Sequence, residues 1–442
     1  MESLGISKEK LVKMRDWIIF ALLFLWMVMP IIQTIRVVYK IVNLDEIYLI
    51  LMKITGIVGI GIGALSVFDR IKNSENKKDT IKELLPIFIF VLYMIWTLIA
   101  ALNSPYKRTA FQGNFYRKEG YYMYLNYAGY FFCAFLLKNK KLRKIILNTF
   151  IISSLYLIFA TRITCGGEIF ENIFTNMHID AAVFAQFNHY GYYLMMTLMC
   201  SLGLFITENN KASKIAYIIA FTVIGYALIY NDTFGCYLAT FVILIAYGIY
   251  SLIKKKDRKL ICTAILIFTI LSCITFKANE NLAFKNIGTF ANDIKTIVLK
   301  IAGIEIEGLD KDFEETGTTR MALWINGIKF MLNSPIIGYG PDNLRPMYAE
   351  LKINQDRPHN LLIQLATTSG IPGMLLYVTA VGIIVVKGVM RLLKNNENGK
   401  IFLIIVATYL VSAMFGNSMY YTSPYFFITL GCLMNCNLNK KG

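Results

Sequence analysis

The 442-residue chain is 56% hydrophobic and only 17% charged, with a mean hydropathy of +0.53. A soluble protein of this size has no core large enough to hide so much apolar surface, and apolar runs of bilayer-crossing length recur along it. The formal net charge of +17 fits either a nucleic-acid binder or a membrane protein whose basic residues gather on the cytoplasmic side. Their positions decide between the two.

Apolar runs fall at about 17–38, 46–68, 85–102, 121–137, 145–162, 189–207, 214–231, 234–253, 260–276, 371–392, 401–417 and 422–437, which makes twelve candidate spans. With the N-terminus inside, the inner connections hold Lys8 to Arg15, Arg70 to Lys82, Lys138 to Lys144, Lys211 and Lys214, Lys254 to Lys259, Lys387 to Lys400, and Lys440 with Lys441. Most of the 45 basic residues thus lie in short inner loops, where the positive-inside rule applies. Both termini are expected in the cytoplasm, and no nucleic-acid partner is implied. The first apolar run is too long for a cleavable signal peptide and lacks a small-residue cleavage site. The eight cysteines fall mainly in apolar runs without metal-type spacing, so neither a disulfide framework nor a metal site is expected.

The expected outer loops carry the polar chemistry. The first, about 103–120, ends in Arg117-Lys118-Glu119-Gly120. A second, about 163–188, contains Glu168, Glu171, His178 and Asp180 and leads into Phe187-Asn188-His189-Tyr190-Gly191. The longest, about 277–370, is long enough to be a subdomain, which divides the chain into 1–276, 277–370 and 371–442. Within it, Ile287, Phe290, Ile294, Ile297, Val298 and Ile301 recur at helical spacing, on a helix that either lies on the membrane surface or packs against other outer segments. Thr318 or Thr319 is placed to cap a helix from Arg320, which ends at Asn333-Ser334-Pro335. Gly338-Tyr339-Gly340-Pro341 reads as a tight turn, with Asp342 as the cap of a third short helix. Ser369-Gly370-Ile371-Pro372 breaks the apolar run that begins at Asn360. The run therefore splits into a short surface helix from His359 to about Thr368 and a span from Ile371.

All three histidines, 178, 189 and 359, fall on the expected outer side. Histidine exchanges protons near neutral pH, and the planar fork of arginine suits phosphate. Arg117, Lys118, Arg320, Arg345 and Arg357, close to His359, are the chemistry that a diphosphate-linked lipid donor requires. For each arginine the plainer alternative is a snorkelling or surface-paired residue; for a lone histidine it is a hydrogen-bonded structural one.

Four features together resemble the O-antigen ligase/polymerase superfamily of bacterial membrane glycosyltransferases. They are the Arg320-Met321-Ala322-Leu323-Trp324 helix with Pro335-Ile336-Ile337-Gly338-Tyr339-Gly340 behind it; His359-Asn360 with Gly370-Ile371-Pro372-Gly373 downstream; Arg117-Lys118-Glu119-Gly120 before an aromatic span; and Phe187-Asn188-His189-Tyr190-Gly191 opening the sixth span. The resemblance implies an all-α polytopic, GT-C-like protein of the bacterial cytoplasmic membrane with its active site outside. It further implies an inverting, metal-independent and cofactor-free sugar transfer from an undecaprenyl-diphosphate-linked glycan to a glycan, lipid or protein acceptor. His359 takes the role of general base and Arg320 that of diphosphate ligand. Arg117, Lys118, Arg345 and Arg357 are further diphosphate candidates, with His189, Asn360 and Trp324 as other site residues. The sequence departs from the family at Asn231-Asp232-Thr233-Phe234-Gly235-Cys236, where ligases usually carry a second arginine. The alternatives are a twelve-span transporter or flippase, whose expected mid-span charges reduce here to Lys53, and a peptidoglycan strand polymerase, for which Asp310, Asp312, Glu314 and Glu315 are the available acids.

Overall fold

The computed structural model describes residues 8–35, 43–164, 181–184, 186–278 and 320–438, together with residues 288 and 295. The helices are α1 (Lys8–Gln33), α2 (Leu44–Lys72), α3 (Lys77–Asn103), α4 (Lys107–Gln112), α5 (Tyr121–Leu136), α6 (Lys140–Thr164), α7 (Phe187–Thr207), α8 (Lys211–Asn231), α9 (Phe234–Lys254), α10 (Arg258–Ala278), α11 (Arg320–Asn333), α12 (Arg345–Glu350), α13 (Leu361–Leu393), α14 (Lys400–Ser412) and α15 (Ser423–Leu438). There is no β-strand among the described residues. The chain is an all-α, multi-pass membrane protein.

Nine of the described helices, α1–α3, α6–α10 and α13, are long and apolar enough to cross a bilayer. The three other expected spans coincide with α5, α14 and α15, of 16, 13 and 16 residues. At 1.5 Å per residue these fall short of a ~30 Å hydrocarbon layer. Both α5 and α15 are buried along almost their whole length, so their apolar character answers to neighbouring helices rather than to lipid. Close approach makes that possible. A Cβ on Gly129 of α5 would collide with the backbone of Gly56 on α2, so only glycine lets these two helices touch there.

The expected break at Gly370 is present. Gly370 adopts φ 69°, ψ 169° inside α13, and the carbonyls freed by the kink are all taken. Thr367 accepts from the Tyr339 backbone N–H (3.0 Å) and Thr368 from that of Gly340 (2.9 Å). Ser369 accepts from Trp96 Nε1 on α3 (2.9 Å). The 335–340 turn is thus stitched onto the kink, and a side chain at Gly370 would strike the Ile336 carbonyl. Helix α11 ends at Asn333, as the Ser-Pro sequence predicts.

Two local expectations change. Asp342 does not cap α12, whose preceding residue Leu344 makes no side-chain cap; its carboxylate is drawn instead to Arg357 and Asn114. His359 is not the first residue of the surface helix. That helix starts at Leu361, capped by the Asn360 side chain, which accepts from the N–H groups of Leu362 (3.0 Å) and Ile363 (3.1 Å). The caps Thr318 and Thr319, the periodic residues Ile287, Phe290, Ile294, Ile297, Val298 and Ile301, His178 and the acids from 310 to 315 lie outside the described residues.

Helix alternation gathers 103–120, the α8–α9 turn, 334–360 and 413–422 at one end of the bundle. The lysine-rich connections lie at the other, where Lys400, 3% exposed, pairs with Asp257 (2.9 Å) and Glu397 (3.2 Å).

Candidate active site

At the end opposite the lysines, segments far apart in sequence close a narrow cleft with a cavity of about 20 Å³. Its wall includes Arg117, His189, Arg320 and His359, with Thr233 and Gly235 where α8 turns into α9, Ser412 at the end of α14, and Phe415, Gly416 and Asn417 from the α14–α15 connection.

His359 is held in the left-handed region, at φ 53°, a conformation that costs energy for a residue with a Cβ. Pro358 on one side and the Asn360 cap on the other leave it little choice; Asn360 Nδ2 also donates to the Met414 carbonyl (3.1 Å). The His359 Nδ1 lies 3.2 Å from the Arg357 carbonyl. A carbonyl only accepts, so Nδ1 carries the proton and Nε2 of the neutral ring keeps its lone pair. Burial, followed by the positive fields of Arg320 and Arg117, pushes the imidazolium pKa down to about 4. At neutral pH the ring is uncharged and able to accept a proton.

Arg117, 4% exposed, makes a two-pronged ion pair with Asp356: Nε to Oδ2 at 2.7 Å and Nη2 to Oδ1 at 3.0 Å. Burial alone would raise the Asp356 pKa, but Arg117 outweighs it and holds the carboxyl at about 2. The remaining Arg117 nitrogen, Nη1, donates to His189 Nε2 at 3.1 Å. Arginine has no lone pair to offer, so the proton of a neutral His189 sits on Nδ1. The guanidinium of Arg320 lies 5.8 Å from the centre of the Phe234 ring, a cation–π separation. The turn that lacks the family's basic residue therefore presents an aromatic ring to Arg320. In the same turn, burial raises the Asp232 carboxyl to about 6.

Other expected ligands are elsewhere. Arg357, expected to bind diphosphate, is only 2% exposed and is clamped by two carboxylates: Nη1 on Glu119, and Nη2 on Asp342 at 2.7 Å. Ser418 adds its carbonyl (3.1 Å) and hydroxyl (3.2 Å). A guanidinium neutralised in this way has no charge left to offer a ligand, so its expected role is corrected to that of a buried tie. Lys118 stands 5.3 Å over the Tyr420 ring, and Arg345 is exposed on α12; neither lines the cleft. Trp324 packs 6.4 Å from the Phe415 ring, behind the wall, and Asn360 acts as a helix cap.

Sequence reasoning overlooked the acids. Arg117 pairs with Asp356 and Arg357 with Glu119, so the segment 117–119 and the pair 356–357 are crossed partners. The signal was present as two short basic–acidic pairings, yet nothing local says that they bind each other. Among the described residues no group of His, Cys, Asp and Glu is arranged to hold a metal ion.

Residues 216–378 match the family model described as O-antigen ligase. The match contains Arg320 and His359, whereas Arg117 and His189 precede it. No curated protein matches the chain. Residues 216–378, less than half of the chain, thus carry a likeness to the O-antigen ligase family within an all-helical membrane bundle.

Proposed function

We infer that this membrane glycosyltransferase of the O-antigen ligase/polymerase type transfers a glycan from an undecaprenyl-diphosphate carrier on the extracytoplasmic face of the cytoplasmic membrane. The observation that carries this reading is His359, its Nδ1 3.2 Å from the Arg357 carbonyl, in one cleft with Arg320 and Arg117; the ring is read as neutral, with Nε2 as its acceptor. Nε2 takes the proton of an acceptor hydroxyl as its oxygen attacks the anomeric carbon. The bond from that carbon to the phosphate oxygen breaks on the opposite face, so the configuration inverts. Arg320 offsets the charge growing on the departing diphosphate. The distribution of lysines supports the sidedness, because the cleft lies at the end away from them.

The test is transfer by purified protein in nanodiscs, supplied with an undecaprenyl-diphosphate-linked glycan and a glycan acceptor in the presence of EDTA. A new glycosidic bond of inverted configuration is expected. Movement of the lipid-linked glycan between leaflets with no bond formed would instead make the protein a transporter.

A further inference from the structure

Two residues of the cleft wall each hold a buried polar atom with no hydrogen-bond partner among the described residues. His189 is 1% exposed, its Nε2 is occupied by Arg117, and its Nδ1 has no partner among the described residues. The tautomer argument makes that atom an N–H donor, because Arg117 can only donate to the other nitrogen. Asn417, 7% exposed in the α14–α15 connection, holds an unpartnered Oδ1, which is an acceptor. Both residues line the same cleft as His359. Buried orphans are costly and are normally satisfied.

A donor and an acceptor together suit a group that does both, and a sugar hydroxyl accepts through its oxygen while donating its proton. A phosphate oxygen satisfies only the donor and would repel Asn417 Oδ1. The diphosphate already has the Arg320 guanidinium to meet it. We propose that His189 Nδ1–H and Asn417 Oδ1 form a subsite for a free hydroxyl of the glycosyl unit next to the diphosphate. This rests on the donor reading above and adds to it the part of the donor that these two residues recognise. Arg117 and Asp356 serve the subsite indirectly, by fixing the tautomer that leaves the proton on Nδ1.

The measurement is the affinity of the full-length protein in nanodiscs for two lipids, undecaprenyl diphosphate and undecaprenyl-diphosphate-linked N-acetylglucosamine. Wild type should bind the sugar-bearing lipid more tightly. His189→Ala and Asn417→Leu should each weaken that lipid roughly ten- to hundredfold, the range of one lost hydrogen bond in a buried site, and leave the bare diphosphate unchanged. His189→Gln, which keeps both an acceptor for Arg117 and an N–H, should stay within about threefold of wild type. Asn417→Leu leaves the Arg117–Asp356 pair untouched, so a folding defect in His189→Ala does not decide the outcome. Equal weakening of both lipids would make His189 a phosphate ligand and overturn the subsite. So would unchanged binding in both variants, or a wild type indifferent to the sugar. If wild type bound neither lipid, the donor reading itself would fall; if Arg320→Ala lost both lipids while the two orphans made no difference, only the subsite would.

Discussion

Two histidines share the cleft and present opposite faces to it. His359 has its proton tied to a carbonyl and offers a lone pair, whereas His189 has its lone pair tied to Arg117 and offers a proton. Their tautomers follow from what each neighbour is able to do, since a carbonyl cannot donate and a guanidinium cannot accept. The imidazolium pKa of His359, pushed down to about 4 from an ordinary value near 6.5, has two consequences. As a base, the ring is competent throughout the neutral range, so the transfer rate should stay level from about pH 8 to pH 5 and fall only as pH approaches about 4. For stability the sign is the same. The folded state disfavours the proton, so this contribution is complete above about 6.5 and is lost as pH falls from there to about 4. Asp356, held at about 2, adds a contribution present above its ordinary 3.8 and lost below it. A pH–rate profile between pH 4 and 8 and melting curves between pH 2 and 8 check both; a rate limb centred near 6.5 would mean that burial and the charges of Arg320 and Arg117 do not hold the His359 pKa down.

At the scale of elements, the site is built by breaks. The kink at Gly370 frees three carbonyls, and the 335–340 turn and Trp96 take them up. The crossed ion pairs Arg117–Asp356 and Arg357–Glu119 then lock the segment before α5 to the segment before α13. Glu119 also accepts from Tyr127, Ser418 and Ser423, so four elements meet on one buried carboxylate. The clamp matters to the chemistry because the backbone of Arg357 supplies the carbonyl that sets the His359 tautomer. Glu119→Gln removes one charge of a buried cluster and should destabilise the protein by about 3–5 kcal/mol. Thermal melting in detergent checks this, and a shift of less than about 1 °C would mean that the cluster is not a tie. The helix end at Asn333 and the break at Gly370 were legible in the sequence because proline and glycine act locally. The real duty of Asp342 was not. Capping is a three-residue pattern, while the attraction that won comes from Arg357, fifteen positions on.

For the whole molecule, hydropathy and the lysine pattern were enough to read a polytopic helical bundle. Nine of the twelve expected spans coincide with helices long and apolar enough to cross a bilayer by themselves, while α5, α14 and α15 are shorter, and α5 and α15 are sunk among other helices. His359 and Arg320 were singled out by residue type, and their expected roles came only from resemblance; the acids Asp356 and Glu119 lie hundreds of positions from their partners. The architecture brings His359, Arg320 and Arg117 together at the lysine-poor end, in a cleft walled by six parts of the chain. The most direct measurement is glycan transfer by purified His359→Ala protein in nanodiscs, compared with wild type at equal folded fraction. Loss of general-base help should lower turnover roughly 10²–10⁴-fold, with the melting temperature and binding of undecaprenyl diphosphate preserved. Near-wild-type turnover from His359→Ala would contradict the account.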